Sequence, residues 1–376
     1  MPSIKPIIII LSCLMLFSCT EKFYPEIDEN VSILVVDGKI TDELNSCEVS
    51  LFRTVNYTDD YLLKPERNAL VVLFNDLGQS EILHETKPGF YQNTSSTLKG
   101  ETDRNYWIKI KTLTGEEYES APETMQPAIN IKSIYGEEID EILDQDISKQ
   151  AVKFYFDTQP ENQSGKYIRW EYKESYEWHT PFSSEITVSQ NPSHICYPVN
   201  RFDQINVFDA SNYTIAEVAH LPVSTIFNNE VKLLHNYLID LKVYSVSQEN
   251  YIFWKNMKTI HQTNGNLYDV IPANILGNVS SCDETCQVLG YFEVSSVRTS
   301  QKIFTENDFT IEFADFPEEC EEFTMILEDQ LRPDQTKYHI ISSSPGTDDA
   351  IIYSVRLIEC YECNLKYSPI KPSFWP

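Results

Sequence analysis

Apolar and polar residues alternate in short runs along the first third of the chain. Runs of this kind occur at 33–36, 69–74, 79–84 and 106–111, and the Asn-Asp-Leu-Gly segment between the second and third predicts a β-hairpin. Turn residues separate the runs, and little helical periodicity lies between them. Strands at this spacing are typical of an immunoglobulin-like β-sandwich, which we place at residues 31–128.

The rest of the chain continues with strand-like runs and one helical pattern. Phe253, Met257 and Ile260 are spaced i, i+4 and i+7, which predicts a helix near 247–262 packed against a sheet. The predicted strands of this part lie at 151–157, 167–172, 237–243, 291–297, 303–304 and 351–357. We therefore predict a mainly β protein, whose second β-rich domain covers residues 129–376 and carries at least one packed helix.

A strongly acidic stretch, GEEIDEILDQD at 136–146, lies near the start of the second predicted domain. Calcium-binding loops of the EF type place Asp or Asn at alternate positions around a central Gly, and this stretch has neither feature. We therefore interpret it as a solvated linker or loop and not as a calcium site.

The N-terminal segment has the features of a bacterial lipoprotein signal peptide. Lys5 is followed by an apolar run that is too short to span a bilayer, and this run ends in Leu-Phe-Ser before Cys19. The pattern is that of a lipobox, and the alternative is an ordinary secretory signal with a chance cysteine. We predict a signal peptide at 1–18, lipid on Cys19 that attaches the protein to a membrane, and an acidic tether at 19–30.

Composition restricts the partners of the chain. It has 57 Asp and Glu against 29 Lys and Arg, a net charge of −28, and a field of this sign repels phosphate backbones. We therefore exclude nucleic acid as a partner. The 22 Tyr and 19 Phe, with only 11 Gly, suit strands with half-buried faces and not a disordered chain.

Cysteines are the next chemical feature of the exported chain. Those beyond Cys19 are Cys47, Cys196, Cys282, Cys286, Cys320, Cys360 and Cys363. In an oxidising compartment the default is disulfide bonding, and the alternative is a zinc site built from the two closely spaced pairs. We expect Cys282 and Cys286, four apart in a polar loop, to bond to each other. Cys360 and Cys363 then bond to Cys196 and Cys320 in an order that the sequence leaves open, and Cys47 stays free.

No catalytic motif is recognisable in the sequence. Gly-x-Ser-x-Gly is absent, His84-Glu85 is not followed by a second histidine at metalloprotease spacing, and the glycines do not cluster. We therefore expect no enzyme, no cofactor and no metal, and the sequence does not identify ligand-binding residues. Trp170, Tyr176 and Trp178 have two interpretations, stacking on a sugar or peptide or packing in the core, and we favour the core.

Several phrases, taken in order, resemble the family of Bacteroidota-type lipoproteins known as domain of unknown function 4249. The resemblance covers nearly the whole mature chain and is most specific in the order of the phrases and in the C-terminal tail. The phrases are the lipobox at Cys19, the run 35–40 (VVDGKI), Val49, Leu51 and Thr54, Gly89-Phe90-Tyr91, Gly100 with Tyr106, Gly115 with Tyr118 and Ser120, the run 251–254 (YIFW), Gly277-Asn278-Val279, the run 288–292 (VLGYF), Cys360-Tyr361-Glu362-Cys363 and the run 371–375 (KPSFW).

The resemblance implies a location and a kind of partner. Members are outer-membrane lipoproteins, commonly encoded beside a TonB-dependent outer-membrane receptor, and no catalytic residues are assigned in the family. The chain departs from the pattern at Cys282 and Cys286, which look like an extra pair, and in the tail, which lacks a glycine pair after the second cysteine. The face of the outer membrane stays open, and we favour the cell surface.

Two functions follow as expectations. The first is a non-catalytic accessory or binding protein that presents a ligand to a TonB-dependent receptor or closes its mouth. The second is a structural subunit of an envelope assembly or secretion complex that binds only protein. A concave pocket would favour the first function, and a wide exposed apolar patch would favour the second.

Overall fold

The protein is mainly β, as its alternating pattern predicts. The structure, a computed structural model, describes residues 32–55, 63–94, 98–144, 147–160, 165–183, 188–202, 204–213, 217–262, 275, 277–282, 287–328, 331–347 and 350–376. Within these residues the chain forms 23 strands and one α-helix, α1, at Gln248–Gln262. The helix lies where the sequence predicts it.

The strands follow one another in chain order with short connections. Their bounds are β1 Leu34–Thr41, β2 Glu48–Thr54, β3 Leu63–Pro65, β4 Leu70–Asn75, β5 Ser80–Lys87, β6 Phe90–Gln92, β7 Asn105–Lys111, β8 Glu117–Ser120, β9 Glu123–Thr124, β10 Ile129–Asp144, β11 Ile147–Pro160, β12 Tyr167–Tyr176, β13 Trp178–His179, β14 Ile195–Cys196, β15 Val199–Arg201, β16 Asn206–Asp209, β17 Val218–Phe227, β18 Tyr237–Val246, β19 Val279–Ser281, β20 Val288–Phe304, β21 Phe323–Leu327, β22 Tyr338–Pro345 and β23 Ile351–Leu357.

The first core lies inside a sandwich built from β1 to β9, β19 and part of β20. Strand neighbours run in the order β20, β1, β2, β6, β5, β4, β7, β8 and β19. The predicted hairpin is present, because β4 and β5 pair antiparallel with Val71 opposite Leu83. Buried Leu51, Leu73 and Ile108 are among the residues that fill the space between the sheets.

Strand β20 joins the two halves of the molecule. Its first part pairs parallel with β1, with Leu34 opposite Val288, and its second part pairs antiparallel with β18, with Tyr237 opposite Phe304. Residues on the two sides of β20 alternate, so that Phe292 and Val294 enter the first core while Glu293 points to the other side. The first core therefore includes side chains that lie beyond the predicted boundary at residue 128.

A close backbone contact fixes the start of β20. Gly290 has a φ of 115°, and a Cβ there would lie 1.7 Å from the carbonyl oxygen of Val36. Beside it, the Asn278 carboxamide bonds to the Phe292 backbone through both its oxygen and its nitrogen, each at 2.8 Å. The side chain of Asn278 thus replaces a neighbouring strand on this edge, which satisfies backbone groups that would otherwise be unpaired.

The second core lies between two sheets of the following part of the chain. Strands β10, β11 and β17 form one sheet, and it packs on the sheet that contains β12, β18 and the end of β20. Phe154 and Phe156 from β11 meet Tyr237, Trp170 and Phe304 from the facing sheet, with ring centroids 4.8 to 5.5 Å apart. A further small sheet, in the order β21, β23 and β22, follows toward the C-terminus.

For residues 136–144, the interpretation as a linker or loop is wrong; residues 145–146 lie outside the described residues. Residues 136–144 continue the long strand β10, which pairs with β11 along most of its length. The register places Glu137 opposite Lys153 and Glu141 opposite Lys149. Opposite charges at facing positions stabilise a strand pair, so the acidic residues are compatible with a hairpin. Composition alone did not show these cross-strand partners.

Four cysteines in the second part of the chain form two disulfide bonds. Cys196 is bonded to Cys363 and Cys320 to Cys360, with Cα atoms 5.9 and 5.7 Å apart. These bonds give the order of pairing that the sequence leaves open. Because Cys360 and Cys363 are both in disulfide bonds, they are not available as thiolate ligands for the alternative zinc site. Cys47 is a buried free thiol.

Helix α1 begins at a polar junction with the first core. The Ser247 hydroxyl accepts the Asn250 N–H at 3.1 Å, as a helix N-cap does, and donates to a carboxylate oxygen of Glu123 at 2.5 Å. The Asn278 amide nitrogen lies 3.3 Å from the other oxygen of Glu123. Burial, the largest effect, raises the pKa of Glu123 to about 8, and the Glu293 carboxylate acts in the same direction.

Candidate functional site

The candidate site lies on the face of β12 and β18 that points away from the second core. Along β12, Ile168 and Trp170 enter that core, so Arg169, Glu171 and Lys173 lie on the opposite face. The register places Tyr244 opposite Arg169 there, Lys242 opposite Glu171 and Asp240 opposite Lys173. A row of charged and aromatic residues therefore crosses two neighbouring strands.

This face forms the floor of an open cleft with a volume of about 590 Å³. Strand β1 and helix α1 border it on one side, through Lys39 and Trp254, and residues 201–202 and 204–206 border it on the other. The size is within the range of small-ligand pockets, about 300 to 1,000 Å³. Among the described residues that line it, the basic ones are Lys39, Arg169, Lys173, Arg201 and Lys242, and the acidic ones are Glu48, Glu171 and Asp240.

A buried ion pair stands at the inner end of the cleft. Arg169 donates from Nη2 to Glu293 Oε1 at 3.0 Å, and the side chains of both residues are almost completely buried. The other carboxylate oxygen of Glu293 accepts the Trp254 indole N–H at 3.0 Å, and the Ser295 hydroxyl donates to Oε1 at 2.8 Å. Strands β12 and β20 and helix α1 are thus held together by one carboxylate.

Aromatic rings and a second carboxylate complete the surroundings of Arg169. Its guanidinium lies 4.2 Å from the ring centroid of Tyr244 and 5.1 Å from that of Trp254. It also bonds to Glu171, whose other oxygen accepts the Tyr244 hydroxyl at 3.2 Å. Desolvation, the largest effect on Glu171, raises its pKa, but the Arg169 charge and hydrogen bond outweigh it and lower the pKa to about 2.

The same balance acts on Glu293. Burial raises its pKa, and the opposing attraction and hydrogen bond of Arg169 lower it below the ordinary value of a glutamate. Both carboxylates are therefore ionised at neutral pH, which keeps the arginine charge compensated. The arrangement is a fixed structural centre, because every charged group in it is held by at least two partners.

The outer part of the cleft has a different character. Lys39 is paired with Glu48 at 2.8 Å, but Lys173, Arg201 and Lys242 form no ion pair within the part of the chain that the structure describes. The Glu171 carboxylate is already occupied by Arg169 and Tyr244. The cleft is thus lined by five basic and three acidic residues in a protein whose net charge is strongly negative.

Of the cysteines and aromatic residues singled out in the sequence as candidate site residues, the described ones lie apart from this cleft, except Trp170 on its border; Lys39 and Trp254, which line it, belong to the runs 35–40 and 251–254 that carry the family resemblance. Trp170, Tyr176 and Trp178 are buried, so the core interpretation applies to their side chains. Cys282 is exposed, while its predicted partner Cys286 and the lipidation site Cys19 lie outside the described residues. Among the residues that are described, no group of three or more His, Cys, Asp or Glu side chains is placed to hold a metal ion.

Sequence reasoning missed Arg169 and its partners. The signal that could have found it is an arginine inside the run Tyr-Ile-Arg-Trp-Glu-Tyr, where polar residues alternate with residues of the core face. Such alternation shows that a strand has two different faces. It does not show that Glu293, which is 124 residues away, supplies the opposite charge.

The fold and the cleft define a class of mainly β protein with an open, charged and aromatic cleft between a sheet and a helix. The chain belongs to the family described as Domain of unknown function (DUF4249), whose model matches residues 20–301. The matched range includes all the residues of the cleft named above. No curated protein matches the chain. In the described residues, no helix is both long and apolar enough to cross a membrane.

Proposed function

We propose that the chain is a lipid-anchored, non-catalytic binding protein of the outer membrane that serves a TonB-dependent receptor. The cleft is the observation that carries this proposal. It is open to solvent and large enough for a small ligand, and its inner end is fixed by the bonds around Arg169 and Glu293. A preorganised, charged and aromatic concavity is typical of a ligand site.

The anchor and the partner rest on sequence. The lipobox at Cys19 supports attachment by lipid, and the family resemblance supports a receptor as partner. We favour the outer face of the outer membrane. The role is to capture a ligand for the receptor or to close the receptor's mouth. Each acid in the inner part of the cleft is fixed in an ion pair, so we assign the titratable groups of the cleft to binding and not to catalysis.

Affinity purification from native membranes tests this function. A C-terminally tagged chain is solubilised in a non-ionic detergent, and co-purifying proteins are identified by mass spectrometry, with Cys19→Ala as the control. We expect a TonB-dependent receptor with the wild type and much less of it with the control, which has no lipid to bring it to the membrane. Recovery of the chain alone, or only with assembly factors, would refute the receptor association.

A second candidate function is a structural subunit of an envelope assembly or secretion complex. An apolar strip on the outer face of the sandwich favours it: Leu70 and Ile82 are exposed, Val72 is opposite Ile82, and Phe74 stacks on Trp107 at 5.8 Å. Contiguous exposed apolar residues often mark a protein interface. Changing Ile82 and Phe74 to Ser should release protein partners if this face is the functional one, whereas changes in the cleft should not.

A further inference from the structure

The three basic residues without ion pairs lie next to one another on neighbouring strands in the outer part of the cleft. Arg201 of β15 is directly opposite Lys173 of β12, and Lys242 of β18 is opposite Glu171, which places it diagonal to Lys173. Directly opposite residues of an antiparallel pair share a face, with Cβ atoms about 5 Å apart, and diagonal neighbours are within reach of long side chains. All three line the same cleft.

Like charges at directly opposite positions destabilise a strand pair. The Arg201 and Lys173 pair has no described acidic residue bonded to it, although acidic residues outnumber basic ones in the chain by 57 to 29. Asp240 lies directly opposite Lys173 and Glu171 directly opposite Lys242, whereas the residue opposite Arg201 is Lys173. Because Glu171 already compensates Arg169, positive charge remains in excess on this face, and a bound anion would compensate it.

The neighbouring acids neutralise the cluster only in part. Glu171 is bonded to Arg169 and Tyr244, and Asp240 accepts a hydrogen bond from Gln301 at 3.0 Å. Neither forms an ion pair with Lys173 or Lys242 within the described residues. Lys173 lies over the Phe374 ring, 5.8 Å from its centroid, and Asp240 is the acid that faces it across the strand pair.

We propose that Lys173, Arg201 and Lys242 form an anion subsite that binds a small polyanion bearing carboxylate or phosphate groups. Arg201 supplies planar donors that suit two-point contact with such a group, and the two lysines supply point charges. Phe202 and Trp254 line the same cleft and offer ring surfaces to the apolar part of the ligand. The inference rests on the proposed function, since it names the class of ligand that the binding protein presents.

Isothermal titration calorimetry of the lipidated chain in non-ionic detergent tests the subsite, with citrate and pyrophosphate as probes. At low salt we expect at least one of them to bind, and raised salt should weaken the binding because the charges are near solvent. Binding of citrate alone identifies a carboxylate ligand, and binding of pyrophosphate alone identifies a phosphate ligand. Absence of binding by both would overturn the proposal.

Amino-acid substitutions distinguish binding at the subsite from a general effect of the protein's net charge. Lys173→Gln combined with Lys242→Gln should weaken binding by about tenfold or more, because charge-assisted contacts are lost. Lys302→Gln removes an exposed charge on β20 outside the cleft and should change the affinity by less than about twofold. An equal loss of affinity in the double lysine variant and in the control variant would refute the subsite. Arg201→Gln, at an exposed edge position, serves as a second test if the double variant does not fold.

Receptor recovery measured on the same variants keeps the two proposals apart. If polyanions bind but no receptor co-purifies with the wild type, the accessory role fails and the subsite stands. If the receptor co-purifies equally with the wild type and the double lysine variant, and neither polyanion binds the wild type, the subsite fails and the association stands.

Discussion

Replacing Glu123 by Gln should remove a pH dependence that is built into the junction between the first core and helix α1. The Glu123 carboxyl is buried and bonded to Ser247 and Asn278, and its pKa is raised to about 8 mainly by burial. The carboxylates of Glu293 and Glu249 raise it further, while hydrogen bonds from Ser247 and Tyr291 lower it. Gln resembles the neutral form of the group at every pH.

The sign of the effect follows from the direction of the shift. Because the pKa of Glu123 is higher in the folded protein than in the unfolded chain, folding holds the proton more tightly. The stability that this group contributes is therefore complete below about pH 4.5 and is lost as the pH rises toward about 8. With 1.36 kcal/mol per pKa unit, the loss between pH 5 and pH 8 is about 3 kcal/mol.

Urea unfolding, followed by tryptophan fluorescence at pH 5, 6, 7 and 8, measures this change. The difference in unfolding free energy between Glu123→Gln and the wild type should grow in favour of the variant as the pH rises. Other groups titrate in both proteins, and subtraction removes their contribution. Glu101→Gln, which changes an exposed glutamate of the same sandwich, is the matched control and should follow the wild type.

Two results would refute the reasoning. If the curves of Glu123→Gln and the wild type are parallel from pH 5 to pH 8, Glu123 does not keep its proton on folding. If Glu101→Gln changes the pH dependence as much as Glu123→Gln does, the effect comes from net charge and not from burial at the junction.

Three further changes test the packing of the fold, each by urea unfolding. Arg169→Met should lower the free energy of unfolding by about 3 to 5 kcal/mol because Glu293 is left buried and unpaired. Adding Glu293→Leu should recover much of this loss, and no recovery would mean that the broken ion pair is not its cause. Gly290→Ala should cost more than about 3 kcal/mol, since its φ is positive and the added Cβ meets a carbonyl oxygen, and a wild-type midpoint would contradict this. Cys196→Ser with Cys363→Ser should cost up to about 5 kcal/mol by opening a very long loop, and an unchanged midpoint would show that the bond constrains little.

The local part of the fold could be predicted from sequence because short-range patterns determine it. The hairpin of β4 and β5 follows from alternation around an Asn-Asp-Leu-Gly turn, and α1 follows from its i, i+4, i+7 spacing. Even here the helix differs in detail, since Phe253 is buried but Ile260 is 37% exposed. Asn250 and Trp254 share the packed side, and sequence spacing gave no reason to include them.

The candidate site could not be predicted because its charges meet across large distances in the chain. Arg169 meets Glu293, and Lys173 meets Arg201 only because β15 returns to the edge of β12. A strand pattern shows which residues share a face, but it does not show which strand will be the neighbour. The acidic residues of β10 are a different case, because the lysines that face them are close in the sequence, on the other strand of the hairpin, and charge composition alone does not indicate that the two strands pair.

The pairing of β1 with β20 has a consequence for the order of folding during synthesis. Strand β1 begins at Leu34, so it is made long before most of the strands that complete the fold. Its parallel neighbour is about 250 residues later, and long-range pairings of this kind form slowly. The N-terminal half cannot close its own core until Phe292 and Val294 arrive. A nascent chain must therefore keep its first core partly open until more than three quarters of its length has been made.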